Sequence, residues 1–330
     1  MSGEPQAIRA VVPCRACLSG EDLDWLGGGR SVSLALGLPT TVEVLPRASP
    51  AAGPPEPPGG WRGEVWAFLR GRLPGLGPVP PPVRVRSEAP QASGLSSSTA
   101  LIVALFGAFA TAGAPGRRPP SDRTLARWAY EFEFARFNGG GMDHLAVVEG
   151  GALLLDGRER GLPVVRERLE LPPEWRVVVV DSGTRKDTRN HIRDVRARLA
   201  AGDRALAAYR RAADGASGRV WEALRGRDLP GLGAAMGEAH AAMRDHQGMS
   251  TPLLEELRRA AALSAGLPLK LSGAGGGGAL VGVCRADALA ETVERLGRAL
   301  GRSFPGARVL PTTAAPGTRR TGGPLPVPGG

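Results

Sequence analysis

The chain has 330 residues, 42% of them hydrophobic and 22% charged, which excludes a wholly disordered protein and allows a sizeable core and more than one typical domain. Its 42 Lys and Arg residues outnumber 32 Asp and Glu residues, giving a formal net charge of +10, but the arginines are scattered among acidic residues on predicted helix faces and no nucleic-acid motif occurs, so nucleic acid is not an expected partner. No apolar run could span a bilayer and the N-terminus lacks a signal-peptide core, so we expect a cytoplasmic protein without a membrane partner. We expect it to be a monomer or a homodimer.

The first half of the chain alternates between strand and helix signals. In chain order, the pattern predicts a strand over 8–18, a hairpin over 31–45, a Pro/Gly/Ala loop over 46–60, a helix over 63–72, a strand over 83–88, a Gly/Ser loop over 92–99 that opens an apolar helix, and a further helix over 123–137.

The second half combines buried strands with helices. The pattern predicts strands over 152–156 and 175–181, helices from 188 to about 265, a short apolar segment at 269–271, a glycine-rich loop, a strand over 279–283 and a last helix over 287–300 with Asp287 as its N-cap. These elements favour an α+β or mixed α/β protein with two lobes, and the change in composition places a weak boundary near 160–175.

The three cysteines do not predict a disulfide framework, because their number is small and odd. Cys14 and Cys17 form a C-x-x-C motif, and Cys284 lies far along the chain. A zinc or redox site is one interpretation of the motif, but no second pair lies nearby. We interpret the two residues as small side chains in an apolar strand.

The segment ASGLSSSTALIV, from Ala92 to Val103, is the sharpest local signal. Gly94 permits a tight turn, and three serines precede an apolar helix, which exceeds what one N-cap requires. Unpaired backbone N–H groups and the helix dipole at such a start favour an anion. The segment lacks the G-K-[ST] ending of a Walker loop, so it predicts a nucleotide site of another kind. A flexible capped loop is the alternative.

Two further glycine-rich segments carry polar residues that suit small-molecule binding. In LSGAGGGGALVGV, from Leu271 to Val283, the glycines indicate a backbone that passes very close to another group. In CRACLSGEDLDWLGGG, from Cys14 to Gly29, carboxylates beside an arginine suit a substrate rich in hydroxyl groups. The alternative for the first segment is a loop that is glycine-rich only because the whole chain is. The alternative for the second segment is a solvated acidic turn.

Together and in this order, the three segments resemble the GHMP kinase superfamily, which includes galactokinase, homoserine kinase, mevalonate kinase and phosphomevalonate kinase. Residues 94–98 are similar to the family's phosphate loop, and residues 270–278 are similar to its C-terminal glycine motif. The resemblance extends over the chain to about residue 310, and each motif occupies its expected place.

Within this superfamily the motifs are mixed. RACLSGEDLDW over 15–25 resembles the galactokinase pattern R-x-N-L-I-G-E-H-T-D-Y, with Asp22 in place of His and Trp25 in place of Tyr. The segments over 140–144 and 240–257 also resemble galactokinase. Residues 181–188 are more similar to mevalonate and heptose kinases, which leaves the acceptor open.

The resemblance implies an α+β protein with the two-lobed GHMP kinase fold. A ribosomal protein S5 domain 2-like lobe is expected over residues 1–165 and a ferredoxin-like lobe over 166–311, followed by a disordered tail over 312–330. The implied reaction uses ATP and Mg²⁺ to phosphorylate a hydroxyl of a sugar or sugar phosphate, with the anomeric (C1) hydroxyl expected. The composition and mixed motifs favour a specialised sugar-activation pathway, such as antibiotic biosynthesis.

The resemblance also assigns roles to individual residues. Asp143 would be the general base, or the group that orients the acceptor hydroxyl, and Arg15 would hold Asp143 and the γ-phosphate in register. The other implied site residues are Ser98 and Glu131 as Mg²⁺ ligands, Gly94, Leu95, Ser96, Ser97, Ser98, Gly275 and Gly276 around ATP, and Glu21, Asp22, Asp24 and Gly140 against sugar hydroxyls.

Two other functions stay open. A mevalonate-like or other alcohol kinase with a carboxylate substrate would need Arg or Lys in the acceptor pocket. A ligand-binding protein on the kinase scaffold would have lost the base, the metal ligand or the phosphate loop, and none is visibly lost. His240 and His246 are interpreted as packed or surface groups, and Lys186 as part of a solvated loop.

Overall fold

The computed structural model describes residues 7–46, 60–113, 118–185 and 188–322. Its strands are β1 (Arg9–Ser19), β2 (Arg30–Val44), β3 (Val83–Ser87), β4 (Ala152–Asp156), β5 (Val164–Leu169), β6 (Trp175–Asp181), β7 (Lys270–Leu271), β8 (Ala279–Arg285), β9 (Arg308–Thr312) and β10 (Arg319–Thr321). Its helices are α1 (Trp61–Arg70), α2 (Ser97–Ala112), α3 (Asp122–Phe137), α4 (Met142–Glu149), α5 (Thr188–Ala200), α6 (Arg204–Arg225), α7 (Leu229–Gln247), α8 (Pro252–Ala265) and α9 (Leu289–Ser303). Two antiparallel sheets with helices packed on them confirm the predicted α+β class.

The first sheet is built around β1 and β2. Its strand order is β10-β1-β2-β4-β5, and β3 also pairs with β2. Inward-facing Ala10 and Val12 of β1 are fully buried and belong to the same core as Phe106 and Phe109 of α2. Because α2 is apolar on nearly all sides, it takes a central buried position. Its N-terminus is thereby fixed next to β1, where Arg15 N–H donates to Leu95 O at 3.0 Å.

A single long strand replaces the hairpin predicted over 31–45. β2 runs through Pro39 for 15 residues. It pairs with β4 over residues 30–34 and with β3 over residues 40–44, and its pairing with β1 is irregular between Val12 and Cys14. Pro39 lies between these pairings, so its missing N–H removes no ladder hydrogen bond. A proline can therefore sit inside a strand that changes neighbours at that point.

The second sheet shares a core with the first through β6. Its order is β7-β8-β6-β9. Alternate side chains of β6 point to opposite faces, and all four valines over 177–180 are fully buried. Val177 and Val179 pack in the core that includes the first sheet, whereas Val178 and Val180 pack in a second core with α8 and α9. The two lobes are thus joined by a continuous apolar contact, which fixes the cavity between them.

The chain does not divide as simply as the predicted domain limits. β5, at Val164–Leu169, pairs with β4 in the first sheet and extends past the expected boundary at residue 165. The expectation of a disordered tail from residue 312 is wrong for the part described, because Arg319–Thr321 forms β10 and pairs with β1. The charged sequence of this strand carries no apolar alternation, so pattern analysis does not find it. Residues 323–330 lie outside the described ranges.

Two smaller expectations concern Asp287 and the cysteines. Helix α9 begins at Leu289 without a side-chain cap, and Asp287 pairs instead with Arg285 at 2.8 Å, so the predicted N-cap is wrong. All three cysteines are buried free thiols. Residues three apart on a strand point to opposite faces, and Cys14 and Cys17 indeed lie in different apolar clusters. The C-x-x-C motif therefore does not bring two sulfurs together.

Basic residues on α9 lie in local surface pairs. Arg295 and Arg298 pair with Glu291 and Glu294, one turn earlier on the helix. Such exposed pairs contribute little to stability, and they match the prediction of solvated helix faces. Among the helices in the described ranges, none combines the length and apolarity that crossing a membrane requires.

Removal of β10 is expected to destabilise the protein. A chain ending at Thr318 loses the β1–β10 pairing and the hydrogen bond of 2.9 Å from Arg320 Nη2 to Pro120 O, so we expect its free energy of unfolding to fall by about 1–3 kcal/mol, the effect of a few lost hydrogen bonds. Urea denaturation measures this change. A chain ending at Gly322 is the matched control and should unfold like the full chain; equal midpoints for both truncations would contradict the prediction.

Candidate active site

A cavity of about 590 Å³ lies between the two lobes, a volume typical of small-molecule sites. It is bounded by the turn after β1, the N-terminal ends of α2 and α4, helix α5, and the loop between β7 and β8. Ten residues predicted for the site line it: Arg15, Glu21, Asp22, Asp24, Gly94, Ser96, Ser97, Ser98, Gly140 and Asp143. Segments far apart in the sequence therefore converge on one cavity.

Arg15 and Asp143 form the central ion pair of this cavity. Arg15 Nε and Nη2 lie 2.7 and 2.6 Å from Asp143 Oδ1, and Nη1 donates to Gly94 O at 2.6 Å. The other carboxylate oxygen of Asp143 accepts a hydrogen bond from Ser96 Oγ. The buried guanidinium thus connects β1, the loop before α2 and the start of α4, and it leaves Asp143 in one orientation.

Asp143 and the neighbouring Asp24 have different proton affinities. Burial by itself raises the pKa of Asp143, but the Arg15 guanidinium and the Ser96 hydrogen bond outweigh burial and lower that pKa below its ordinary value. Burial raises the pKa of Asp24 to about 7, opposed by the hydrogen bond from Met142 N–H and increased by the charge of Asp143. At neutral pH, Asp143 is therefore ionised while Asp24 is partly protonated.

The N-terminus of α2 faces the cavity with its first N–H groups uncapped. Ser96 occupies the N-cap position with φ 59°, in the left-handed region, and makes no side-chain cap. Its hydroxyl is used on Asp143 instead. Ser97 and Ser98 begin the helix and line the cavity. Free N–H donors at a helix start together with two hydroxyls make this the part of the cavity best suited to a phosphate group.

The turn after β1 presents carboxylates from a tightly packed backbone. Gly20 has φ +84°, and a Cβ there would lie 2.3 Å from Arg30 O, so only glycine fits. Asp24 Oδ2 accepts a hydrogen bond of 2.9 Å from Met142 N–H. A Cβ on Gly140 would lie 1.8 Å from the same oxygen. Gly140 therefore allows Asp24 to reach the start of α4, and the two segments form one wall.

Two family models match the sequence. They are the GHMP kinases N terminal domain, over residues 64–151, and the GHMP kinases C terminal, over residues 221–302. Together they cover more than half of the chain. The protein belongs to the GHMP kinase family. As a GHMP kinase it is an enzyme that phosphorylates a hydroxyl group of a small molecule, and the two-lobed fold expected from the motifs is confirmed.

Solved structures share this fold over nearly the whole chain at low sequence identity. The Lin0012 protein from Listeria innocua is 18% identical with a TM-score of 0.77, covering 96% of this chain and 99% of its own. Lactococcus lactis galactokinase, solved with galactose, is 16% identical with a TM-score of 0.75 and 95% coverage of each chain. L. major mevalonate kinase, solved with R-mevalonate, is 19% identical with a TM-score of 0.72, covering 95% of this chain and 98% of its own.

The structure of this GHMP kinase places Glu131 outside the cavity. Glu131 is 41% exposed and pairs with Arg72 at 2.9 Å. Glu133, two positions later on α3, is buried and lines the cavity, where Thr99 Oγ1 donates to its Oε1 at 3.4 Å. Residues two apart on a helix point in nearly opposite directions, so Glu131 and Glu133 cannot share a face. Glu133 falls at i+4 and i+7 from buried Ala129 and Ala126, a spacing that could have identified it from the sequence.

Three of the residues predicted to surround ATP do not line the cavity either. Gly275 packs against the protein's own backbone, because a Cβ there would lie 2.4 Å from Met249 O. Gly276 N–H donates to that oxygen at 2.7 Å, but a Cβ on Gly276 would meet no atom within 4 Å. Gly273 and Ala274, at the start of the same loop, do line the cavity. Leu95 is fully buried in the core. The close approach that the glycines predicted is thus real, but its partner is the chain itself.

A buried ion pair supports the floor of the cavity. Lys270 Nζ contacts Glu21 Oε1, and both side chains are almost completely buried. The ammonium also donates to Leu271 O at 2.6 Å and to Cys17 O at 3.1 Å. Glu21 Oε2 has no hydrogen-bond partner, and Glu21 lines the cavity. Lys270 therefore fixes one oxygen of Glu21 and leaves the other available to a ligand.

Sequence analysis missed two histidines of the cavity. His144 Nε2 lies 2.7 Å from Glu133 Oε2, but the groups are not aligned and neither atom has a hydrogen-bond partner. His191 belongs to α5, and its Nε2 lies 2.7 Å from Asp22 Oδ2. No local pattern marks either residue, because each contact joins separate elements. His240, in contrast, is buried away from the cavity between Glu255 and Leu271, and burial lowers its pKa to about 4. Lys186 lies outside the described residues.

Substitution of Lys270 by Met is expected to be strongly destabilising. It leaves the Glu21 carboxylate buried without a cation, which typically costs about 3–5 kcal/mol of unfolding free energy. The double variant Lys270→Met with Glu21→Gln removes the unpaired charge and should recover part of that loss. Urea denaturation measures both. The control is Arg285→Met in the exposed pair with Asp287, which should change stability by less than about 1 kcal/mol; an equal effect of the two single substitutions would contradict the prediction.

Proposed function

We propose that this GHMP kinase transfers the γ-phosphoryl group of ATP to a hydroxyl of an uncharged sugar. The observation that carries the proposal is the Asp143 carboxylate, held by Arg15 and Ser96 between the uncapped start of α2 and a wall of carboxylates. The galactokinase-like turn after β1 favours the anomeric hydroxyl as the acceptor position. A sugar phosphate is less compatible with the same wall, because its charge would face carboxylates.

The charge of the cavity supports a neutral acceptor rich in hydroxyl groups. Glu21, Asp22 and Asp24 all line the cavity and come from the one turn after β1. Carboxylate oxygens accept hydrogen bonds from vicinal hydroxyls. Within the described residues, Arg15 is the only Lys or Arg that lines the cavity, and its guanidinium is engaged by Asp143 and Gly94. A carboxylate acceptor such as mevalonate would lack a cation there, so a mevalonate-like activity is less well supported.

In this proposal Asp143 orients the acceptor hydroxyl and accepts its proton. Its lowered pKa makes it a weak base that is fully ionised at neutral pH. Phosphoryl transfer passes through a loose transition state in which positioning matters more than base strength, so an ionised and immobile carboxylate suits the reaction. Arg15, buried behind Asp143, acts as a positioning residue rather than by direct contact with the acceptor.

The phosphate end of the cavity supports binding of ATP with Mg²⁺. The N–H groups at the start of α2 would bind phosphate oxygens. Glu133 lines the cavity, and its Oε2 is buried without a hydrogen-bond partner, 2.7 Å from His144 Nε2; the Ser98 hydroxyl group belongs to another residue of the lining. These are hard oxygen donors that fit Mg²⁺, and we propose that Glu133 and Ser98 hold it, where it neutralises the charge of the ATP phosphates. In the described part of the chain no three or more His, Cys, Asp or Glu residues form a metal cluster, so substrate phosphates would supply further ligands.

The first test is turnover on a panel of neutral sugars with ATP, followed by ADP release, with R-mevalonate as the carboxylate comparison. Asp143→Asn should lower kcat by about 10²–10⁴-fold, as expected for loss of a general base, and retain binding of an ATP analogue measured by calorimetry. Asp245→Asn, at an exposed residue paired with Arg244, is the control and should turn over normally. The absence of turnover on every sugar, or turnover on mevalonate alone, would overturn the proposal.

The neighbouring acids of α3 provide a matched test of the metal ligand. Glu133→Gln should raise the Mg²⁺ concentration needed for half-maximal rate by at least about tenfold, because one anionic ligand is lost. Glu131→Gln removes the same charge from the solvent-exposed side of the helix and should leave the Mg²⁺ titration unchanged. The titration is read as initial rate against free Mg²⁺ at saturating ATP. An unchanged curve for Glu133→Gln would exclude it as a ligand.

A further inference from the structure

The contact between Asp22 and His191 joins the two lobes across the acceptor end of the cavity. Asp22 belongs to the turn after β1, and His191 belongs to α5. His191 Nε2 lies 2.7 Å from Asp22 Oδ2, and the two side chains are only 14% and 9% exposed. Both line the cavity. This pair is the point at which helix α5 touches the carboxylate wall.

The backbone of Asp22 indicates that its orientation is constrained. Asp22 has φ 65°, in the left-handed region that few residues other than glycine adopt. Its carbonyl accepts hydrogen bonds from Trp25 N–H and Leu26 N–H at 3.2 and 3.1 Å. A residue held in a sparsely populated conformation by its surroundings is typical of functional positions. The turn thus fixes the main chain and directs the carboxylate toward α5.

Further contacts hold α5 against the same wall. Arg196, just over one turn after His191, stacks over the Trp25 ring at 4.7 Å and donates from Nε to Asn138 O at 2.9 Å. Ile192 belongs to the apolar core of the second lobe and lines the cavity. These contacts determine where the imidazole of His191 can lie. The position of His191 against Asp22 is therefore set by the packing of the whole helix.

We propose that His191 is a specificity-determining positioning residue for the acceptor. It holds Asp22 Oδ2, so that Asp22 Oδ1 accepts a hydrogen bond from one acceptor hydroxyl. The galactokinase-like sequence pattern carries His at position 22, and here an imidazole reaches the same region from α5. The inference rests on the proposed sugar kinase function and adds the pair that selects among sugars.

The chemistry of the pair explains how it can discriminate. A carboxylate with one oxygen fixed has its second oxygen in one place, and a bound sugar that covers this oxygen but points its hydroxyl elsewhere leaves it without a donor. An unpaired buried polar group is penalised much more than a lost methyl contact. Without His191 the Asp22 carboxylate can rotate, and either epimer can then find a donor geometry. Loss of the pair should therefore weaken discrimination more than it weakens catalysis.

The test compares the best sugar of the panel with an epimer that differs at one hydroxyl. His191→Leu should raise KM for the best sugar and reduce the ratio of kcat/KM between the two epimers by at least about tenfold, while kcat and KM for ATP change less than about threefold. His191→Gln keeps an amide that can donate to Asp22 and should restore most of the discrimination. Arg193→Leu, at a 73% exposed position on the same helix, is the control and should retain the discrimination of the unsubstituted protein.

A second variant tests the same pair if His191→Leu does not fold. Asp22→Asn keeps a side chain that tolerates the left-handed backbone and removes the carboxylate. It should reduce discrimination by a similar factor, and the double variant should be no worse than either single one, because both break one pair. Fully additive effects, or an equal loss of kcat/KM for both epimers, would show that the pair only holds α5 against the turn, and would overturn the inference. If the unsubstituted protein phosphorylates no sugar, the proposed function fails first, and galactose binding measured by calorimetry then decides whether the pair contacts a sugar.

Discussion

The buried guanidinium of Arg15 is the interaction on which the site depends. It bonds to Asp143 and to Gly94 O, so it fixes the base candidate and the phosphate-binding turn relative to the same strand. The guanidinium is pre-organised for such planar contacts and is always charged. Its burial makes the arrangement all-or-none, because a buried charge without its partner is strongly unfavourable. The relative positions of Asp143 and the start of α2 are therefore set by the folded core.

A second buried cation performs a similar task from the other lobe. Lys270 of β7 reaches Glu21 in the turn after β1 and also binds backbone carbonyls on both sides. The two cations thus hold different carboxylates of the same cavity, Asp143 by Arg15 and Glu21 by Lys270. The continuous apolar core around β6 keeps the walls at a fixed distance. Electrostatic and apolar contacts between the lobes together make the cavity largely preformed.

The sequence predicts the parts of this architecture that have local signals. The apolar run after three serines identifies α2 and its start at the cavity, and the ordered motifs identify the family. The edge strand β5, with sequence VVRERL, has consecutive charged residues in its exposed middle, so its sequence pattern does not predict a strand. Helix α4 has only eight residues, too few for a periodic signal.

The site residues that were missed depend on tertiary packing. The contact between His191 and Asp22 spans 169 positions in the sequence, and only the packing of α5 creates it. The resemblance implies Glu131 as a metal ligand, whereas the direction of a helical side chain decides which acid of α3 reaches the cavity. Gly275 and Gly276 show the same difference, since glycine composition reports a close approach without naming the neighbour.

The return of the chain to its first sheet has a consequence for biosynthesis. Strand β1 is the first described strand to be made, but its partner Arg319–Thr321 is made after every other described strand. During translation one edge of β1 is open, and an open edge is a site for pairing with other chains. The sheet is therefore completed only after every other described strand has been made, so a chaperone that covers the free edge of β1 would protect the nascent chain from misassembly.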